Sequence, residues 1–183
     1  MSKLRVYMAC SLDGFTAGPE HDLAWLEENY GRPGDPEPDA GALRFDAFLS
    51  QVGALLMGRT TYDVVGGMDV WPYQDRPVVV ATSRPLSFAR PTVESASGKI
   101  EALVERAKTL AAGKDVYIDG GNLIRQALEA SLVDEITLTI VPVLLGQGTR
   151  LFDTQSLRTK LHFVAHHTFE NGLVQIRADV RRF

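Results

Sequence analysis

Three short stretches set glycine, hydroxyl and arginine groups side by side: Gly58-Arg59-Thr60-Thr61, Thr82-Ser83-Arg84 and Gly120-Gly121-Asn122-Leu123. Glycine leaves the backbone amide bare, hydroxyls and guanidinium groups donate hydrogen bonds to anions, and a helix start adds unpaired N–H groups and a positive dipole end. Each stretch follows a strand-like run, and two of them open a helix, which is the arrangement that binds phosphate. Two arginines, several hydroxyls and a glycine pair suit a pyrophosphate with a further phosphate on a ribose. Taken singly, each stretch reads first as a tight turn, a helix cap or a surface charge, and the joint occurrence of all three favours the anion site.

Asp13 is the candidate for acid–base work, because Asp13-Gly14 closes the first strand where a reacting ring would sit. It has a second reading, as an aspartate that makes the Asp-Gly turn. Cys10 reads as a small buried hydrophobe. His166 and His167 point to opposite faces of a strand, and His162 lies about 13 Å from His166 along it, so no metal site is expected. Neither GxxxxGK[ST] nor GxGxxG occurs, which argues against a Walker-type kinase and an ordinary Rossmann fold.

The elements that must hold these residues alternate along the chain. "RVYMACS" reads as a strand, "ALRFDAFLSQV" as an amphipathic helix, "ALLMG" as a buried strand and "RTTYDVVGG" as a short helix. "RPVVVATS" is an apolar run suited to a strand covered on both faces. "KIEALVERAKTLAAG" is a helix ending at Gly113, "DVYID" a strand, and Asn122 to about Leu132 a further helix. "DEITLTIVPVLLG" is strand-like, and two alternating runs around Asn171-Gly172 form a hairpin. The expected fold is α/β: a mainly parallel central sheet with helices on both faces and an antiparallel hairpin at one edge. Asp13-Gly14, Gly58-Arg59, Thr82-Ser83-Arg84 and Gly120-Gly121 then share the carboxyl ends of the strands, where such sheets bind ligands.

The 183 residues suit one domain, 1–183, with 45% hydrophobic and 23% charged residues, ordinary for a globular protein. No membrane span or signal peptide is read, and the single cysteine forms no internal disulfide, so a cytoplasmic location is expected. A net charge of -4 gives no general attraction to nucleic acid or anionic membrane. The Pro/Gly-rich segment from Gly31 to Gly41 reads as a surface loop. Pro142 in "EITLTIVPVLL" removes a ladder donor and marks that strand as an edge or irregular strand, whose apolar side needs cover from the hairpin or from a second copy of the chain.

The stretches "YMACSLDGFTAG", "LLMGRTTYDVV", "VVVATSRP", "VYIDGGNLIRQAL" and "LVDEITLTIVPVLLGQGTRLF" occur in an order that resembles the dihydrofolate reductase superfamily, most closely its riboflavin-biosynthesis reductase branch. The resemblance spans nearly the whole chain and implies a three-layer dihydrofolate-reductase-like fold. It implies NADPH as hydride donor and a small nitrogen heterocycle, pterin-like or aminopyrimidine-like, as acceptor. Ala9 and Thr16 would frame the nicotinamide. Gly58, Arg59, Thr60 and Thr61 would hold phosphates, and Thr82, Ser83 and Arg84 the ribose and its 2′-phosphate. Gly120, Gly121, Asn122 and Leu123 would admit the pyrophosphate. Asp13 and Trp25 would face the substrate, with Phe45 and Phe48 packing on its ring. Riboflavin-pathway reductases also associate as dimers through the part of the sheet that holds "EITLTIVPVLL", so the resemblance implies a homodimer.

The helix acid that grips the pterin in folate reductases has no match in register. Asp46 is near, but its place between Phe45 and Ala47 puts it on the solvated face. The reductase-like pattern starts with the first strand, so a stand-alone reductase without a deaminase domain is expected. A nucleotide- or pterin-binding module of the same fold without catalysis is the alternative.

Overall fold

The computed structural model describes residues 2–27, 41–152 and 158–181. The loop expected from Gly31 to Gly41 falls outside the described residues except for Gly41 itself. The strands are β1 (Leu4–Ser11), β2 (Phe15–Ala17), β3 (Val52–Gly58), β4 (Val78–Ala81), β5 (Val93–Ala96), β6 (Asp115–Asp119), β7 (Glu135–Val141), β8 (Thr149–Arg150), β9 (Lys160–Thr168) and β10 (Val174–Arg181). The helices are α1 (Ala24–Glu27), α2 (Phe45–Gln51), α3 (Arg59–Gly66), α4 (Ile100–Leu110) and α5 (Gly121–Glu129), with a 3-10 turn at Pro19–His21.

Eight strands form one sheet in the order β5-β4-β3-β6-β1-β7-β10-β9. The first six run parallel, and β10 joins β7 antiparallel with β9 outside it. Alternation along the strands sorts side chains to two faces. Leu4, Val6, Ala54, Leu56, Val116 and Ile118 pack with α4 and α5, whereas Tyr7, Leu55, Met57 and Tyr117 pack with α2 and α3. The helices obey the same logic at their own period. Ile100, Leu103, Val104 and Ala107 form the buried stripe of α4, and Leu123, Ile124, Ala127 and Leu128 that of α5. The expected three-layer α/β fold is therefore the observed one.

β7 departs from expectation. It ends at Val141, one residue before Pro142, so the missing proline donor falls outside the ladder, and the strand lies inside the sheet between β1 and β10. The terminal hairpin supplies its cover. The sheet edges are β5 and β9. Among the described residues no helix is long and apolar enough to cross a membrane.

Candidate active site

A cavity of about 720 Å³ opens at the carboxyl ends of the parallel strands, within the range of about 300–1,000 Å³ common for ligand sites. Three helices start on it. Gly58, Arg59, Thr60 and Thr61 line it at the start of α3, Ser97, Gly98 and Leu103 at the start of α4, and Gly120, Gly121, Asn122 and Leu123 at the start of α5. None of the three N-cap residues, Gly58, Lys99 and Gly120, makes a side-chain capping hydrogen bond. The first amides of each helix thus keep no side-chain acceptor, and three positive dipole ends meet at one cavity. This donor set fits a polyanionic dinucleotide.

Gly120 has φ 102, a conformation that side chains rarely adopt, and a Cβ there would lie 2.9 Å from Thr61 Oγ1. Thr61 and Gly58 of the neighbouring strand end are thus part of what approaches the glycine pair so closely. Gly121 differs: it is the first residue of α5, and a Cβ there would make ordinary contacts, with the Arg150 carbonyl at 3.4 Å, Arg125 Nη1 at 3.5 Å and the Leu151 carbonyl at 4.0 Å. The strict need for glycine rests on Gly120 alone.

Ala9, Thr16 and Thr82 also line the cavity, whereas Ser83 and Arg84 are outside its lining. Arg59 lines it, but its guanidinium is engaged. Nε lies 2.8 Å from both Asp63 oxygens, Nη1 donates to the Pro85 carbonyl at 2.7 Å and Nη2 to Ser87 Oγ at 2.6 Å. Thr16 belongs to β2, which pairs with β8 to form a small antiparallel flap, and Thr16, Ala17 and Thr149 of this flap border the cavity.

The sequence-based acid and ring assignments need correction. Asp13 is not among the lining residues. Its carboxylate accepts from Ser11 Oγ at 2.6 Å and from the amides of Leu145 (3.2 Å) and Gly146 (2.7 Å), so it ties the β1–β2 turn to the loop before β8. These bonds, Ser11's first, hold its pKa down to about 2, the wrong direction for a proton donor. Trp25 is buried beside Val141 and Leu173. Phe45 and Phe48 pack with tilted rings 5.4 and 4.8 Å from the Tyr7 ring, one layer behind the wall that Tyr7 and Tyr117 present. Asp46 is exposed and bonded to Arg44, as its helical position implied. Burial raises the Cys10 thiol to about 11, with Asp13 adding to the effect, so Cys10 is a poor nucleophile.

The acid that does reach the cavity is Asp119, the last residue of β6, only 8% exposed. Burial raises its pKa, opposed by hydrogen bonds from Tyr117, the Gly120 amide and Tyr73. Tyr117 Oη lies 3.0 Å and Tyr73 Oη 3.5 Å from its Oδ2. The other walls are largely apolar, with Met8, Leu23, Leu26, Val65 and Met68. A desolvated carboxyl that holds its proton above the usual range, beside helix starts suited to an anion, is equipped to donate that proton to a ligand. The sequence carried one sign of it, an acid at the end of an apolar strand directly before Gly-Gly. The Ser97-Gly98 turn gave less, because β5 is short and lacks a buried alternation.

Comparison with known proteins agrees with this architecture. Residues 2–175 match the RibD C-terminal domain. The uncharacterized protein YwjB of Bacillus subtilis is 33% identical over 161 residues, 87% of each chain. The crystal structure of a Shewanella sp. PV-4 protein named for riboflavin biosynthesis superposes with a TM-score of 0.81 at 30% identity, covering 98% of this chain and 99% of that one. Dihydrofolate reductase from Enterococcus faecalis, solved with NADP(H), superposes with a TM-score of 0.60 at 18% identity over 97% of this chain and 94% of its own, a likeness of fold alone. With the family match spanning nearly the whole chain, the protein belongs to the RibD C-terminal domain family.

Proposed function

We propose that this protein is an NADPH-dependent reductase of a small nitrogen heterocycle, aminopyrimidine-like or pterin-like. The observation that carries this reading is the convergence of three uncapped helix starts and one buried acid on a single cavity. The family membership and the NADP(H) complex of the enterococcal reductase support a nicotinamide dinucleotide as the ligand. The starts of α3 and α5 would hold its phosphates, Thr82, Ser97 and Gly98 its adenosine end, and Ala9 and Thr16 its nicotinamide end.

A bound dihydronicotinamide supplies a hydride to an electron-poor carbon of the acceptor. The chain itself contributes position and a proton: the glycine cradle fixes the ligand, the apolar walls exclude water, and Asp119 donates a proton to the atom next to the reduced carbon. A binding module without catalysis has no use for a desolvated carboxyl, which lowers stability wherever it ionises. The buried acid therefore favours an enzyme over that alternative.

Titration with NADPH, followed by nucleotide fluorescence, tests the cradle. The wild type should bind, and Gly120→Val should lose at least tenfold in affinity, about 1.4 kcal/mol or more, while retaining a native circular dichroism spectrum. The substitution also stores about 1–3 kcal/mol of backbone strain, so its melting point should fall. A folded Gly120→Val protein that binds NADPH as tightly as the wild type would return the glycine pair to a plain turn.

We also propose a homodimer, formed at the β9 edge. This strand leaves Leu161, Phe163 and Val164 exposed at 40, 66 and 42% along an unpaired ladder, and apolar edge strands associate unless covered. Light scattering over a dilution series should give a dimer mass for the wild type and a monomer for Phe163→Lys. A monomer at every wild-type concentration would exclude it.

A further inference from the structure

Asp119 lies beside the phenols of Tyr117 and Tyr73, and the Tyr117 hydroxyl also reaches the backbone carbonyl of Tyr7. Tyr117 comes from the same strand two residues earlier, on the same face, Tyr7 from β1 beside it, and Tyr73 from the segment between α3 and β4. Tyr117 Oη lies 2.9 Å from the Tyr7 carbonyl oxygen and 3.0 Å from Asp119 Oδ2. Both are acceptors when Asp119 is ionised, and the phenol has one proton to give. Tyr73 Oη approaches the same Oδ2 at a longer 3.5 Å, with its ring edge-on to Trp71 at 5.0 Å.

We propose that Tyr117 is a positioning residue whose single hydroxyl proton alternates between the Asp119 carboxylate and the Tyr7 carbonyl. When Asp119 carries its proton, Tyr117 donates to the Tyr7 carbonyl and its phenol oxygen is free to accept from the acid. When that proton has left for a ligand, the Tyr117 O–H turns to Oδ2 and stabilises the anion. No bond other than hydrogen bonds is made or broken at Tyr117, and its own proton never leaves it. Burial raises the pKa of Tyr117 and Tyr73 well above the ordinary phenol value, so both stay protonated throughout the range in which the acid titrates. Besides these two phenols, the Gly120 amide also donates to Asp119, and among the described residues no charged side chain contributes to its shift. The titration of the acid is thus set by burial and by a few neutral donors, of which Tyr117 makes the shortest phenol contact.

The inference rests on Asp119 as the proton donor of the proposed reductase, but it can be tested without cofactor or substrate. Infrared difference spectra of the whole protein, recorded against pH, show the protonated-carboxyl stretch of a buried acid. Asp119→Asn identifies which band belongs to Asp119. In the wild type that band should persist above the ordinary carboxylate range. Tyr117→Phe, which keeps the ring, should move its midpoint up by a further pH unit or so, the loss of one hydrogen bond to a charged acceptor. Tyr73→Phe, with the longer contact, should move it less. An unchanged midpoint in Tyr117→Phe, a larger change in Tyr73→Phe, or no band removed by Asp119→Asn would overturn the proposal. A protein that shows the shift yet binds no NADPH keeps this assignment and loses the reductase reading. One that binds NADPH without the shift does the reverse.

Discussion

Asp119→Asn is expected to lower the turnover of NADPH with a reducible heterocycle by about 10²–10⁴-fold, the usual contribution of a positioned proton donor, while leaving NADPH affinity near the wild-type value. Asparagine keeps the shape of the side chain and a carbonyl acceptor for the tyrosine hydroxyls, so the loss isolates the proton. The pH dependence has a definite sign. Burial raises the acid, and donation requires its protonated form, so wild-type turnover should fall as pH rises through its pKa. Stability follows the same direction. A group whose folded pKa lies above its unfolded value contributes stability that is present below the unfolded pKa and is lost as pH rises through the folded one. Above that window Asp119→Asn should melt no lower than the wild type, and its melting curve should lose that part of the pH dependence. Stopped-flow oxidation of NADPH and calorimetry across pH measure both effects. A turnover within threefold of wild type would remove Asp119 from the chemistry.

The second large effect lies at the opposite end of the sheet. Arg5 is 4% exposed, with Nε 2.9 Å from Glu135 Oε1, Nη2 on the same oxygen, and Nη1 3.2 Å from Asp115 Oδ2 and 2.8 Å from Gln51 Oε1. Its guanidinium carbon sits 4.9 Å from the centre of the Phe48 ring. One buried cation therefore joins β1, β6, β7 and α2. Glu135→Leu should cost about 3–5 kcal/mol, because it leaves that guanidinium short of its principal counter-charge. For a chain of this size the melting point falls on the order of 10 °C. The double variant Arg5→Met/Glu135→Leu should recover much of the loss, since a packed apolar pair replaces a buried ion pair at little cost. Urea unfolding of the single and double variants decides it. Equal losses in both would mean that the side chains act by volume and not by charge.

Most of the layer arrangement was legible because the pattern that specifies it is local. The period of α5 in Leu123, Ala127 and Leu128, and the apolar run of β4, each declare their element within one turn or one strand. The four strand-end turns were legible for the same reason. β7 was misplaced because Pro142 bears on a ladder only if the ladder reaches it, and where a ladder stops is decided by partners in β1 and β10. Asp119 was passed over because an acid in "DVYID" becomes buried only when Tyr73, 46 residues earlier in the chain, folds over it. Asp13 had two readings, and the loop before β8, 132 residues away, selected the turn. Contacts of that range leave no period in the sequence.

The placement of β1 also bears on how the chain is made. Its neighbours on either side are β6 and β7, with Leu4 paired to Val116 and Arg5 to Glu135. On the ribosome the first strand therefore waits, with Leu4 and Val6 uncovered, until more than a hundred further residues have been synthesised. The β3–β4 pair can assemble earlier, since Leu55 meets Val78 across a short crossover. Closing such long loops is slow, and the waiting strand is a surface for chaperones or for misassembly. The residue that becomes the most tightly paired cation in the sheet thus spends nascent life without its partner, and the middle of the molecule is the part completed late.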